Sequence, residues 1–267
     1  MRDRLPISLL FVVALTIVRA SLPAVPLPHP WPRIFVDAIA GAAASWAALQ
    51  FGRDDAPRRA WSLVAATSWL LGLAHLCEGL IADPALKVPI ARAFIVAANV
   101  CWPLAFAVFA RNLGVGLGPL REGGGHVLTW ALGLPALVLA AWVGCIGVAE
   151  KLVVHEATLN SGIMALSDAF IMFADATVFV ATIHMLTTAA SMLDGPLIRA
   201  YLLLCLSAIS SLGAEVLTVL HPYFDLPALT LLRQGCGALA WATVVVAAIV
   251  QAMTLRSLRG RLRAVGR

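Results

Sequence analysis

Charge is what this chain has least of. Only 12% of its 267 residues are Asp, Glu, Lys or Arg, about half the share carried by a soluble domain. Hydrophobic residues make up 61%, which excludes a soluble globular fold and leaves an integral membrane protein. Lysine is nearly missing, with Lys87 and Lys151 alone, so the cations are arginines. That bias is typical of a GC-rich bacterial genome. The five cysteines, Cys77, Cys101, Cys145, Cys205 and Cys236, all fall inside apolar runs without CxxC or CxxH spacing. This excludes a thiolate metal site and points away from disulfides; such cysteines serve as small apolar fillers. HExxH, GxSxG and a phosphate-binding glycine loop are also missing. The run 123-GGG-125 reads as a flexible connection.

What is present is a succession of apolar windows of bilayer length. Eight can be drawn, at residues 6–26, 32–51, 60–82, 88–110, 127–149, 162–190, 197–220 and 228–252. The fold class that follows is all-α, a polytopic membrane protein. Arginine sets the orientation: MRDR, 52-GRDDAPRRA-60, Arg111 with Arg121, Arg199 and the tail 256-RSLRGRLRAVGR-267 all fall on one side. The opposite loops, 149-AEKLVVHEATLNSG-162 and 221-HPYFDLP-227, are neutral or acidic. By the positive-inside rule both termini are cytoplasmic. The net charge of +5 comes largely from that tail, so it indicates topology and no nucleic-acid partner.

The first window has a second reading. MRDR, a short apolar core and 18-VRA-20 also resemble a secretory signal, whose removal would leave seven helices. Retention is favoured because the two halves of the chain echo each other. The second window opens 36-VDAI-39 and the sixth carries 167-SDAF-170. The third runs from 59-RAW-61 to 71-LG-72, the seventh from 199-RAY-201 to 212-LG-213. Arg92 then Trp102 in the fourth match Arg233 then Trp241 in the eighth. The expectation is two parallel four-helix halves, residues 1–125 and 126–255, followed by a basic tail at 256–267. Their symmetry axis would lie along the membrane normal, as in parallel-repeat transporters.

At 1.5 Å per helical residue each ionisable group has a depth. Asp37 and His75 lie about 6 Å outside their helix midpoints, and Glu78, Arg92, Asp168, Glu215 and Arg233 roughly 10 Å outside theirs. Asp175 is near the midplane, and the inner half holds little beyond His184. The charges are one-sided. Stripes of small and hydroxyl residues accompany them: Asp37, Gly41 and Ser45; Ser68, Gly72, His75 and Gly79; Ser207, Ser211, Glu215 and Thr218; Ser161, Asp168, Asp175 and Thr182. Such stripes let membrane helices approach and hydrogen-bond. The four outer carboxylates could simply lock the bundle by pairing with Arg92 and Arg233. Four against two leaves a surplus of negative charge, however, and a carboxylate in low dielectric takes up a proton or holds a cation. Ionisable groups within a membrane are functional candidates by default.

Bis-histidine haem is not expected, because His126 and His184 lie about 15–20 Å from His75 along the normal. A metal at His75 with carboxylates is geometrically allowed, but a single imidazole confers little selectivity. Three functions remain open. The leading one is an inner-membrane transport protein binding a cation or proton-coupled small solute. In it Asp37 and Asp168 are the paired carboxylates, His75, Glu78 and Glu215 the proton or cation ligands, and Arg92 and Arg233 the balancing charges. Asp175 joins the binding residues, but beyond Asp175 and His184 nothing polar continues the path inward, which counts against this reading. The second is a sensor or accessory subunit with an outward cavity and a protein partner on the cytoplasmic side. The third is an intramembrane enzyme acting on a lipid or lipid-linked substrate, with His75 and Glu78 as acid–base pair.

Overall fold

The computed structural model describes residues 31–115, 124–154, 158–189, 198–220 and 227–265, with the isolated positions Ala14 and Phe224. The described residues form seven helices: α1 (Trp31–Ala48), α2 (Ala56–Leu80), α3 (Pro84–Val115), α4 (Gly124–Val154), α5 (Leu159–Ala189), α6 (Ile198–Leu220) and α7 (Pro227–Val265). Six of them, α2 to α7, are long and apolar enough to cross a membrane. Helix α1 spans 18 residues and falls outside that group, because Arg33 and Asp37 interrupt its apolar first turns. The window expected at 6–26, and with it the question of a cleaved signal, lies outside the described residues.

Local chemistry sets several of the helix ends. Pro57 stands in the first turn of α2, where a missing N–H costs nothing. Asp83 accepts from the Ala85 amide at 2.9 Å and caps α3. At the start of α5, Thr158 and Ser161 cap reciprocally: the Ser161 amide donates to Thr158 Oγ1 at 3.1 Å, the Thr158 amide to Ser161 Oγ at 2.9 Å. One boundary differs from expectation. Helix α7 runs 39 residues to Val265, so the basic tail continues the last span as helix. Loss of hydropathy marks where a span leaves lipid; Leu and Arg are both good helix formers and carry the turn onward.

The helices pack as a ring. Helix α1 meets α2, α2 meets α3, α3 meets α5, α5 meets α6, α6 meets α7, and α7 returns to α1. Helix α4 stands outside and packs on α5. The Trp241 indole donates to the Val36 carbonyl at 2.7 Å across the α7–α1 seam, and the Asn160 amide group donates to the Pro84 carbonyl at 3.3 Å between the starts of α5 and α3.

One end of the ring is filled with hydrocarbon. A single buried cluster takes residues from all six ring helices: Ala44 and Ala47 of α1, Trp61 and Val64 of α2, Phe106 and Phe109 of α3, Val178 and Met185 of α5, Leu204 and Ala208 of α6, Ala247 and Ala248 of α7. Aromatic edges interlock there, with ring centroids 5.5 Å apart for Trp61–Phe109, 4.9 Å for Trp102–Phe106 and 5.5 Å for Phe109–Tyr201. Such edge-to-face pairs add about 0.5–1.5 kcal/mol each beyond the area they bury. Outward faces stay apolar and exposed, as at Phe35, Leu104, Val138, Trp142, Leu166 and Leu231. Those surfaces are compatible with lipid contact.

Candidate functional site

The charged residues gather at the opposite end of the ring. Asp37 is an early residue of α1 and His75 a late residue of α2, and His75 Nδ1 lies 2.7 Å from Asp37 Oδ2. The contact forms because both stripes of small residues meet. A Cβ on Gly72 would sit 3.5 Å from the Asp37 Cβ, and one on Gly41 would sit 2.7–3.0 Å from the Trp69 indole. Trp69 Nε1 in turn donates to Ser45 Oγ at 3.4 Å. Glycines at 41 and 72 thus let α1 and α2 close enough for the imidazole to reach the carboxylate.

Across the ring Arg92 does the corresponding work between α3 and α5. Its Nη1 makes an ion pair with Asp168 Oδ1 and donates to Ser167 Oγ at 3.2 Å. Glu78 and Glu215 both lie within Coulombic range of the same guanidinium. One arginine therefore stands among three carboxylates, from α2, α5 and α6. Asp175, two turns further along α5, is buried at 3% exposure, and Ser211 Oγ of α6 donates to it at 3.0 Å. Asp175 also lies within Coulombic range of Glu215.

The eight sequence-derived positions are thus not equally placed. Asp37 with His75 and Arg92 with Asp168 are joined directly, Glu78 and Glu215 are linked through Arg92, and Asp175 hangs below Glu215. Arg233 is half-buried near the start of α7, and among the described residues it forms no ion pair. Asp37 contacts His75 and Asp168 contacts Arg92, so the two aspartates expected to pair with each other have separate partners. Ser167, which positions the Arg92 guanidinium, was not singled out beforehand; its place beside Asp168 was the available signal. Among the described residues no three His, Cys, Asp or Glu side chains converge to hold a metal ion.

No protein-family model, no curated protein and no solved structure matches this chain.

Proposed function

We propose that this chain is a bacterial inner-membrane transport protein whose acidic vestibule binds protons, or a cation or solute taken up with them. The observation that carries this reading is the polarity of the ring: ionisable groups converge at one end while an apolar plug fills the other. A polar end opposite a closed apolar end is what one state of an alternating-access device would present. Arginine supports the direction. Arg53, Arg58 and Arg59, Arg111, and Arg256 with Arg259 all stand at the plugged end, which the positive-inside rule puts in the cytoplasm.

Helix adjacency is consistent with an internal duplication. A two-fold along the ring axis would carry α1, α2 and α3 onto α5, α6 and α7, and the α3–α5 seam onto the α7–α1 seam. Every one of those contacts exists. The seams are not chemically equal, since Arg92 pairs with Asp168 at one while Asp37 of the other turns to His75.

Reconstitution tests the reading. Purified protein in vesicles, offered candidate cations and small solutes with an inward pH gradient, should accumulate one of them. Glu78→Leu or Glu215→Leu should abolish the uptake, and Asp54→Leu or Asp55→Leu in the exposed arginine-rich loop should not. Equal losses in all four would point to general instability instead. The sensor reading is favoured by one feature: α7 has 39 residues where about 20 cross a bilayer, so its final third offers a helix to a partner. Co-purification of a cytoplasmic partner without any uptake would select it.

A further inference from the structure

Transport toward the plugged end needs a polar route through the plug, and the plug holds unexplained polar atoms. Among the described residues the buried side-chain nitrogen and oxygen atoms without a hydrogen-bond partner are Thr182 Oγ1, Gln251 Oε1 and Asn112 Nδ2. Thr182 and Gln251 are themselves 0% and 2% exposed. All three lie toward the plugged end. Val178, Thr182 and Met185 share a face of α5, and Val244, Ala248 and Gln251 a face of α7, by the three- and four-residue spacing of a helix. Val178, Met185, Val244 and Ala248 belong to the one plug cluster. Both orphaned oxygens therefore look into the same hydrocarbon.

Their depths agree. Thr182 lies fourteen residues beyond Asp168, which at 1.5 Å per residue is about 21 Å below the Arg92–Asp168 level. Trp241 is level with Val36 through its hydrogen bond, and Gln251 is ten residues further, about 15 Å below Val36. The Asp37–His75 level is itself about 5 Å below Glu78, which neighbours Arg92, so Gln251 arrives at about 20 Å as well. Asp175 sits above them at about 10 Å, and Asn112, twenty residues past Arg92, below them at about 30 Å. Polar groups thus descend from the vestibule in steps of about 10 Å. The other hydroxyls nearby are spent on backbone: Thr243 donates to the Leu239 carbonyl at 2.8 Å and Ser207 to the Ala240 carbonyl at 2.8 Å.

We infer that Thr182 and Gln251 hold water inside the plug, and that this water, with Asn112 below it, forms a proton path from Asp175 to the far side. The inference rests on the transport reading and supplies its missing inner half. A buried water needs two to four polar partners, and the Thr182 hydroxyl and the Gln251 side-chain oxygen, at one depth, each offer one. A proton taken from the polar end resides on the Asp175 carboxylate, moves along a file of several waters of which the one at Thr182 and Gln251 is the middle, each hop spanning about 3 Å, and leaves past Asn112. One positive charge crosses per transfer, and no other atom changes hands.

Hydroxyl-radical footprinting of the full chain in lipid nanodiscs tests the water directly. Met185 and Met172 are equally hidden, at 0% and 2% exposure, but Met185 is three residues from Thr182 whereas Met172 packs in a separate cluster with Ala140, Val143 and Ala176. Radicals form from water in place, and Met172, three residues from Asp175 at the head of the path, serves as the internal reference. Thr182→Val combined with Gln251→Leu should slow Met185 oxidation at least about fivefold while leaving Met172 unchanged, and Thr243→Val should leave both unchanged. A Met185 rate that the double change does not lower, with the Met172 rate also unchanged as the sign of an intact fold, would overturn the inference. In vesicles with potassium and valinomycin returning the charge, the same double change should cut proton entry by about tenfold or more, since a dry plug offers no relay. Flux that survives the double change, or flux no faster than in protein-free vesicles, would also overturn it. Neither result touches the vestibule, which solute uptake with Glu78→Leu and Glu215→Leu tests separately.

Discussion

The indole N–H of Trp241 donates to the carbonyl of Val36 at 2.7 Å, tying the last ring helix to the first, one residue before Asp37. Closure of the ring and placement of the acidic site are therefore one contact apart. Trp241→Phe keeps an aromatic side chain and removes the donor together with the five-membered ring that carries it. A lost hydrogen bond of this kind costs about 0.5–1.5 kcal/mol, so thermal unfolding in detergent should begin a few degrees lower. Cross-linking between cysteines introduced on α1 and α7 should become slower, because the seam opens more often.

Gly41 and Gly72 should answer differently to alanine. At Gly41 a methyl group would meet three indole atoms of Trp69 at 2.7–3.0 Å, whereas at Gly72 it would rest 3.5 Å from Asp37 Cβ, an ordinary contact. Overpacking costs about 1–3 kcal/mol. Gly41→Ala should lower the melting temperature and loosen the Trp69–Ser45 bond, seen as a change in tryptophan emission. Gly72→Ala should melt close to the unaltered protein.

Arg92→Met should harm the protein more than Arg92→Met combined with Asp168→Asn. The single change leaves Asp168, Glu78 and Glu215 facing one another without their shared cation. Breaking a fully buried pair costs about 3–5 kcal/mol; the Asp168 side chain is 37% exposed, so the loss here should fall below that range. A double-mutant cycle on thermal stability measures the coupling. Additive effects would mean that Arg92 acts elsewhere.

External pH should govern the vestibule. Imidazole is the side chain whose charge changes between about pH 5 and 8, and His75 stands 2.7 Å from the Asp37 carboxylate. Uptake measured against external pH at fixed internal pH should therefore vary within this window, and His75→Gln should flatten it. A curve unchanged by His75→Gln would hand the response to the carboxylates, and Asp37→Asn with Asp168→Asn would then be the deciding pair.

Much of this protein was legible before any coordinate. Length and spacing of apolar windows determine helices, because lipid leaves the backbone no other partner for its amides and carbonyls. Depth follows from counting residues along a helix, so the one-sided placement of Asp37, His75, Glu78, Arg92, Asp168 and Glu215 could be read directly. What sequence could not supply is azimuth between helices. Stripes of small and hydroxyl residues mark faces that approach another helix without naming which one, and only tertiary packing decided that α3 lies against α5, that α4 stands outside, and that Arg92 meets Asp168 while Asp37 meets His75. The apolar plug was invisible for the same reason: Phe106, Met185 and Ala247 look like any lipid-facing residue until six helices turn them toward one axis. Gln251 was equally silent. A lone amide near the end of a span reads as an interfacial residue, and only burial on all sides by the neighbouring helices makes its unpartnered oxygen a chemical question.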